Sequence, residues 1–525
     1  MSIEGESEPT ATLEPQPDQG ADAVDGVGAE PQFWSRVAER VRSHWLLGKD
    51  PYWGAVGLLV TGCFMAYYVL HFGALTSEVH RGYGDSAFDI GLYDQGLWLL
   101  SRFHAPFITE MGRNLFGDHT QFLLLALVPL YWIRPDATTL LWVQAAALAA
   151  GAIPVYMLAM RRFANPLFAT VFAGAFLLHP ALAQSNLENF HPDALLVPIL
   201  GFALYAAIED KPRMFVVFCV LALLGKEDVI LILLPLVIWF AWRRNRRLGI
   251  TVAIGALAYS IFATYGVMRS LIGVPTLNEG RIPFGGFSGL VKEVFKKPAD
   301  FIKYLIHGDS PNGRPFYVWQ LIAPTGLMFF VAPEIALTSA LVIGTNVLSD
   351  FGYQHLIAYH YTMVILPALS MGTVFAVSKL KREKYRRVAV AIVGVASLWT
   401  AYLWGPLPFA VHHDIAHWSS SNPAVAAIKE VQDQLPPNAV VSAYYSFVPH
   451  IDHRKEIYMW PTPFHAVSWG TYKQEGQRLP QADRVQYLLL PADLTDHPDV
   501  LGQISSQFEV VAQSSNAVLY KRKGT

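Results

Sequence analysis

Residues 194–247 read ALLVPILGFALYAAIEDKPRMFVVFCVLALLGKEDVILILLPLVIWFAWRRNRR. Three apolar runs, near 194–209, 213–226 and 228–243, follow one another here, and nearly all the charge sits in the short turns between and after them. A backbone surrounded by lipid must satisfy its own hydrogen bonds, so such runs are helices, and a crossing takes roughly 20 residues. Lys211 with Arg213, and Arg243 to Arg247, lie at two of the turns, whereas Gly225, Lys226, Glu227 and Asp228 lie at the turn between them. Cytoplasmic loops collect Lys and Arg close to the ends of spans. The alternation therefore fixes both a helical hairpin pattern and its direction.

The same pattern extends through most of the chain. Apolar runs near 52–75, 138–160, 166–184, 248–271, 317–332, 334–349, 361–379 and 388–405 bring the expected number of spans to about eleven. Composition agrees: 53% apolar and 13% aromatic residues with 15% charge leave too little polar surface for a water-facing globule. A net charge of −2 gives no reason to expect a nucleic-acid partner. Cys63 and Cys219 both lie in apolar runs and read as packing residues.

The first run follows Arg36, Arg40, Arg42 and Lys49, which argues for a cytoplasmic N-terminus. From that start, Arg161-Arg162, Lys211 with Arg213, the Arg243 to Arg247 cluster, and Lys379 to Arg387 all fall on the inside; the remaining inside turn, near Pro333-Glu334, lacks a cation. His119 to Ile133, about fifteen Leu-rich residues broken by Pro129, is too short to cross and is assigned as a juxtamembrane or re-entrant helix. Three parts are expected: an acidic, disordered tail over 1–33, a membrane domain over 34–405 with outer loops at 76–137 and 272–317, and an α/β domain over 406–525.

With this topology the polar motifs collect on the outside. The first outer loop holds Asp85, Asp89, Asp94, Arg102, Arg113, Asp118 and His119; later ones hold Glu188, His191 and Asp193, then Lys226, Glu227 and Asp228, then Asp350, His355 and His360. Ala87 to Phe103 is expected to be one amphipathic surface helix, with Asp85 and Asp89 sharing a face at i, i+4. Paired carboxylates there suit proton abstraction or cation binding; otherwise Asp85 is an N-cap. Glu188, His191 and Asp193 offer donors to a divalent metal, though His191-Pro192-Asp193 also suits the start of the next helix. Three successive charges in a tight turn are harder to explain as structure, and Lys226 could receive a phosphate, as could Arg102, Arg113, Arg269 or Arg281. His355 and His360 lie among Tyr353, Tyr359 and Tyr361, which an interfacial aromatic belt explains.

The 272–317 loop is expected to carry an amphipathic helix from Leu290 to Ile306 that covers a lipid-facing cleft. After Gly405, a helix at Ala424–Leu435 and strands at Ala439–Ala443, Glu456–Met459, Val485–Leu490, Phe508–Ala512 and Ala517–Tyr520 make a small α/β domain without a phosphate loop or nucleophile elbow.

Phe88 to Trp98 (FDIGLYDQGLW), Asp118-His119, Phe190 to Asp193 (FHPD), Lys226-Glu227-Asp228 and Tyr359-His360-Tyr361 together resemble the bacterial membrane-protein family designated domain of unknown function 2079. That family is more distantly similar to the GT-C superfamily of polyprenyl-phosphate-sugar glycosyltransferases, which includes protein O-mannosyltransferases and aminoarabinose transferases. The resemblance implies an all-α, GT-C-like membrane domain in the bacterial inner membrane, with the C-terminal domain outside, and transfer of a sugar from a polyprenyl-phosphate donor to a cell-envelope acceptor. In GT-C enzymes an acid of the first outer loop acts near the sugar, often with a second acid next and a Tyr four positions on. Asp89 and Tyr93 match, but Ile90 stands in the second position, leaving Asp85 or Asp94 to take that part.

Asp89 is then the expected base, with Lys226 at the leaving phosphate and Arg102 and Arg113 behind it. Tyr93, His119, Glu188, His191, Asp193, Glu227, Asp228, His355 and His360 are expected at the acceptor or sugar. Metal is optional in that superfamily, so a divalent cation is possible and no other cofactor is implied; the oligomeric state is open. The rival readings are a transporter or flippase, which would place ionisable groups on broken helices at the midplane, and a scaffold binding a partner through its outer domain.

Overall fold

The computed structural model describes residues 44–274, 277–307, 313–411, 413 and 418–524; the tail expected over 1–33 lies outside them. Helices occupy the apolar runs read from the sequence. Their starts are written in local chemistry: Asp50, Asp136, Asn165 and Asn245 each accept a backbone N–H of the first turn that follows, supplying a partner to donors that have none within the helix.

Among the described residues, five helices are long and apolar enough to cross a membrane: Pro51–Arg81, Ala137–Phe163, Arg246–Ile272, His360–Ser378 and Glu383–Trp404. A sixth is added if Pro166–Leu177 and Pro180–Leu187, bent by 42° at His179-Pro180, count as one. The expected eleven crossings exceed this. Asp193–Ile208 and Pro212–Leu223 have 16 and 12 residues, which at about 1.5 Å per residue fall short of roughly 30 Å of hydrocarbon. Leu59, Phe64 and Leu70 on the first helix, and Ile254, Ile261 and Phe262 on and just past Arg246–Ile261, are exposed. Aliphatic and aromatic surface on this scale needs an apolar solvent.

The turns expected inside gather at one end of the bundle. Arg162 pairs with Glu209 at 2.7 Å, Arg244 donates to the carbonyl of Ala207, Arg243 pairs with Glu334, and the Arg386 guanidinium lies over the Phe163 ring. Glu334 thus brings the cation-free turn to the same end as the basic clusters.

The Ala87 to Phe103 segment departs from expectation. A regular helix spans only Leu92–Ser101 and is mostly buried. Before it the chain kinks: Phe88 is extended and Asp89 adopts φ 79°, ψ −94°. Asp85 and Asp89 therefore share no helical face, and Asp85 pairs with His80 at 2.5 Å. The helix expected from Leu290 to Ile306 is also two, Phe287–Lys296 and Pro298–His307, because Pro298 cannot continue the first.

The hairpin β1 (Phe107–Ile108) and β2 (Arg113–Asn114) closes the first outer loop. The C-terminal strands β3 (Val441–Ala443), β4 (Ile457–Met459), β5 (Tyr487–Pro491), β6 (Phe508–Gln513) and β7 (Ala517–Arg522) form one sheet in the order β4-β3-β5-β7-β6. β3 runs parallel to β4 and β5, and β7 antiparallel to β5 and β6. This sheet is docked on the loop that follows the first helix. Thr109 Oγ1 donates to the Ile457 carbonyl at 2.7 Å, Gln95 Nε2 to that of Arg454 at 3.1 Å, and the Gly470 N–H to that of Met111 at 2.6 Å. Trp45–Thr525 accordingly behaves as one unit.

Candidate active site

The kink before Leu92 sets the site. Asp89, in a left-handed conformation that costs a residue with a Cβ on the order of 1–3 kcal/mol, lines a cavity of about 520 Å³. The helix that follows then divides its side chains by the 100° step. Tyr93 lines the same cavity and packs edge-on against Phe190, whereas Asp94 is buried away from it and accepts from Tyr131 Oη at 2.6 Å.

Facing Asp89 is the segment between Leu187 and Asp193. His191 Nε2 lies 3.7 Å from Asp89 Oδ1 and 3.5 Å from Glu188 Oε2. The same Glu188 oxygen is 3.4 Å from His360 Nδ1 and accepts the His360 N–H at 3.1 Å. The His191 and His360 rings stack at 3.5 Å. The Asp89 carboxyl is 31% exposed, open to the cavity and otherwise enclosed. Burial, only partly offset by His191, pushes it up to about 6, a value suited to a base near neutrality. Burial works against charge on Glu188 too, but His191 and His360 hold it down at about 2.

Beside this cluster, Lys226 Nζ lies 3.3 Å from Asp193 Oδ1 and 3.6 Å from Asp228 Oδ2. Burial opposes its charge, yet these carboxylates hold the ammonium well above its ordinary pKa. Glu227 clasps His119 Nδ1 at 2.7 Å and accepts the Thr120 N–H at 3.1 Å, tying the short Phe122–Ile133 helix to the Lys226 turn. Arg113 pairs with Asp118 at 2.9 Å and donates to the Ser468 carbonyl at 3.2 Å.

A second cavity of about 710 Å³ adjoins the first. One stretch of its wall is apolar, made by Ile230, Leu231, Leu257, Ile261, Met268 and Leu290. Six residues line both cavities: His119, Lys226, Asn278, Arg281, His360 and Tyr361.

The candidates from the sequence thus divide. Asp89, Tyr93, Arg113, His119, Glu188, His191, Asp193, Lys226 and His360 line the polar cavity, and Glu227 and Asp228 line the apolar one. Asp85, Asp94, Arg102 and His355 line neither. Arg102 is exposed beyond the last turn of Leu92–Ser101, over the Trp98 ring, and His355 is buried. The metal donors also regroup. Asp193 turns to Lys226, while Glu188, His191 and His360 each bring a ligand atom within 4.8 Å of the others, and among the described residues His191 Nε2 has no hydrogen-bond partner. This donor set suits a divalent cation.

Arg281 gains weight. Its guanidinium stands over Phe351 and donates to Tyr361 Oη at 3.3 Å, and among the described residues no carboxylate pairs with it. Tyr472, from the C-terminal domain, joins the polar cavity and lies under the Arg113 guanidinium; no local pattern marks it.

The fold has known counterparts. The crystal structure of ArnT from Cupriavidus metallidurans bound to undecaprenyl phosphate superposes with a TM-score of 0.51 at 14% identity, covering 87% of this chain and 98% of that one. ArnT from the same organism in the apo state gives 0.50 at 15% identity with the same coverage. At these identities the likeness is one of fold. No curated protein sequence matches the chain. The model of a family described as predicted membrane protein (DUF2079) matches residues 85–519.

Proposed function

Since the chain belongs to the DUF2079 family of predicted membrane proteins, whose description names no reaction, we propose from its site that it is a GT-C-type glycosyltransferase of the bacterial inner membrane. It moves a sugar from a polyprenyl-phosphate donor to a cell-envelope acceptor. The basic end of the bundle is cytoplasmic, about eleven helical segments enter the membrane, and both the site and the C-terminal domain face outward.

The observation that carries this reading is the junction of an apolar groove with a polar cavity, with cations at the shared wall. A long isoprenoid fits the groove, its phosphate meets Arg281 and Lys226, and its sugar projects toward Asp89. The ArnT structure of the same fold holds undecaprenyl phosphate. Lys226 is already matched by Asp193 and Asp228, so Arg281 brings the unspent charge.

In the reaction Asp89 takes the proton of the acceptor hydroxyl as that oxygen bonds to the anomeric carbon. The bond from that carbon to the phosphate oxygen breaks, and the electron pair leaves with the polyprenyl phosphate. Arg281 and Lys226 stabilise the charge that develops there, the larger part of such catalysis where donors are preorganised. His191, braced by Glu188 and stacked on His360, orients Asp89. A divalent cation on Glu188, His191 and His360 would add positive potential beside the acceptor.

The test is transfer of labelled sugar from a panel of polyprenyl-phosphate donors by the purified protein in lipid. Transfer supports the reading. Its absence from folded protein, with solute flux in proteoliposomes instead, would favour a transporter. The groove has its own test: Leu257→Trp fills it and is expected to raise the KM for a long-chain donor roughly tenfold, about 1.4 kcal/mol, while leaving a short-chain analogue unchanged. Equal effects on both donors would remove the isoprenoid from the groove.

A further inference from the structure

A second cluster of ionisable groups lies apart from both cavities, where the C-terminal domain meets the first outer loop. Asp94 comes from the Leu92–Ser101 helix; Asp452 and His453 come from the segment after Val448–His450. Asp94 and His453 are 359 positions apart in sequence. One donor atom from each of the three lies within 4.8 Å of the others. Asp94 and Asp452 are each 1% exposed.

The hydrogen bonds here do not balance the charge. Asp94 Oδ1 accepts from Tyr131 Oη at 2.6 Å and lies 3.1 Å from His453 Nε2. Among the described residues Asp452 Oδ2 has no hydrogen-bond partner. Glu110, also buried, stands within electrostatic reach of both aspartates, and among the described residues neither of its oxygens has a hydrogen-bond partner. Arg454 offsets Asp452 only through space: its N–H groups go to the carbonyls of Ile451, Pro436 and Ala439. With Asp94 and Asp452 beside His453, and Glu110 within electrostatic reach of both aspartates, the three carboxyls stay charged together only with a further cation among them. Without such a cation, burial drives Asp452 and Glu110 to their protonated forms.

We propose that Asp94, Asp452 and His453, with Glu110 beside them, bind a first-row divalent cation of the zinc class that clasps the C-terminal domain to the membrane domain. One imidazole nitrogen with a few carboxylate oxygens suits zinc. Calcium seeks six to eight oxygens. The clasp joins the Leu92–Ser101 helix, whose Tyr93 lines the polar cavity, to the domain that contributes Tyr472 to it. Zinc here is structural, and its readout does not depend on sugar transfer.

The experiment uses the full chain in detergent, stripped with chelator and then given zinc chloride alone, with metal content and melting temperature measured. Wild type is expected to bind one zinc more per chain than Asp452→Asn or His453→Ala, and to gain several degrees on zinc addition that both variants lose. The partly exposed His453 makes its replacement the milder variant. Anomalous scattering at the zinc edge then locates the ion. Density between Asp94, Asp452 and His453 supports the clasp. Equal zinc content and equal shifts in all three proteins, no shift in wild type, or density only at Glu188, His191 and His360 overturns it.

Discussion

An Asp89→Asn protein is expected to fold as the wild type does and to transfer sugar about 10²–10⁴-fold more slowly, the range lost with a positioned general base. The amide keeps the shape of the carboxyl and can still face His191, but it cannot accept a proton from the acceptor. Asp89→Gly separates this chemistry from the backbone that presents it. At φ 79° a residue with a Cβ is strained and glycine is not, so this variant should be as inactive as Asp89→Asn while melting at or above the wild-type temperature. Single-turnover transfer and thermal unfolding in detergent check both halves. An Asn variant within a few-fold of wild type would remove Asp89 as the base, and a Gly variant that melts much lower would show that the kink is held by the side chain.

Lys226→Met should be costly in a different currency. Lys226 and Asp193 side chains are 6% and 8% exposed, so removing the ammonium leaves a carboxylate buried and uncompensated, a loss of about 3–5 kcal/mol. Adding Asp193→Asn removes the orphaned charge and is expected to restore most of the stability. It should not restore transfer, because the lysine at the shared wall is then still missing from the leaving phosphate. Recovery of both stability and transfer in the double variant would make Lys226 a structural residue only and leave Arg281 alone at the phosphate.

The positions of the helices were legible because hydrocarbon imposes one rule, long apolar runs, that survives without knowledge of neighbours. Their number as crossings was not, since Asp193–Ile208 and Pro212–Leu223 are largely apolar but short of a full crossing. The strands after Gly405 were legible too, each observed strand lying within a residue or two of its sequence pattern. Asp89 was visible as a loop acid, but spacing argued for a continuous helix, and nothing local announces a left-handed residue between Phe88 and Ile90. The resemblance also offered Asp94 as a second acid beside Asp89; the observed helix turns Asp94 toward Tyr131 and His453 instead. Glu188 and His360 meet across 172 positions, and Tyr472 arrives from another domain. Such meetings are products of packing, and a single sequence carries no trace of them.

The wall shared by the two cavities has a kinetic corollary. On the proposed reading the spent carrier and the fresh donor are anchored by the same arginine and lysine and slide along the same groove, so the groove is a single berth. A charged lipid cannot dock until its discharged predecessor has cast off, which would make throughput depend on how quickly the bilayer and its recycling machinery clear the empty carrier as much as on how quickly the glycosidic bond forms.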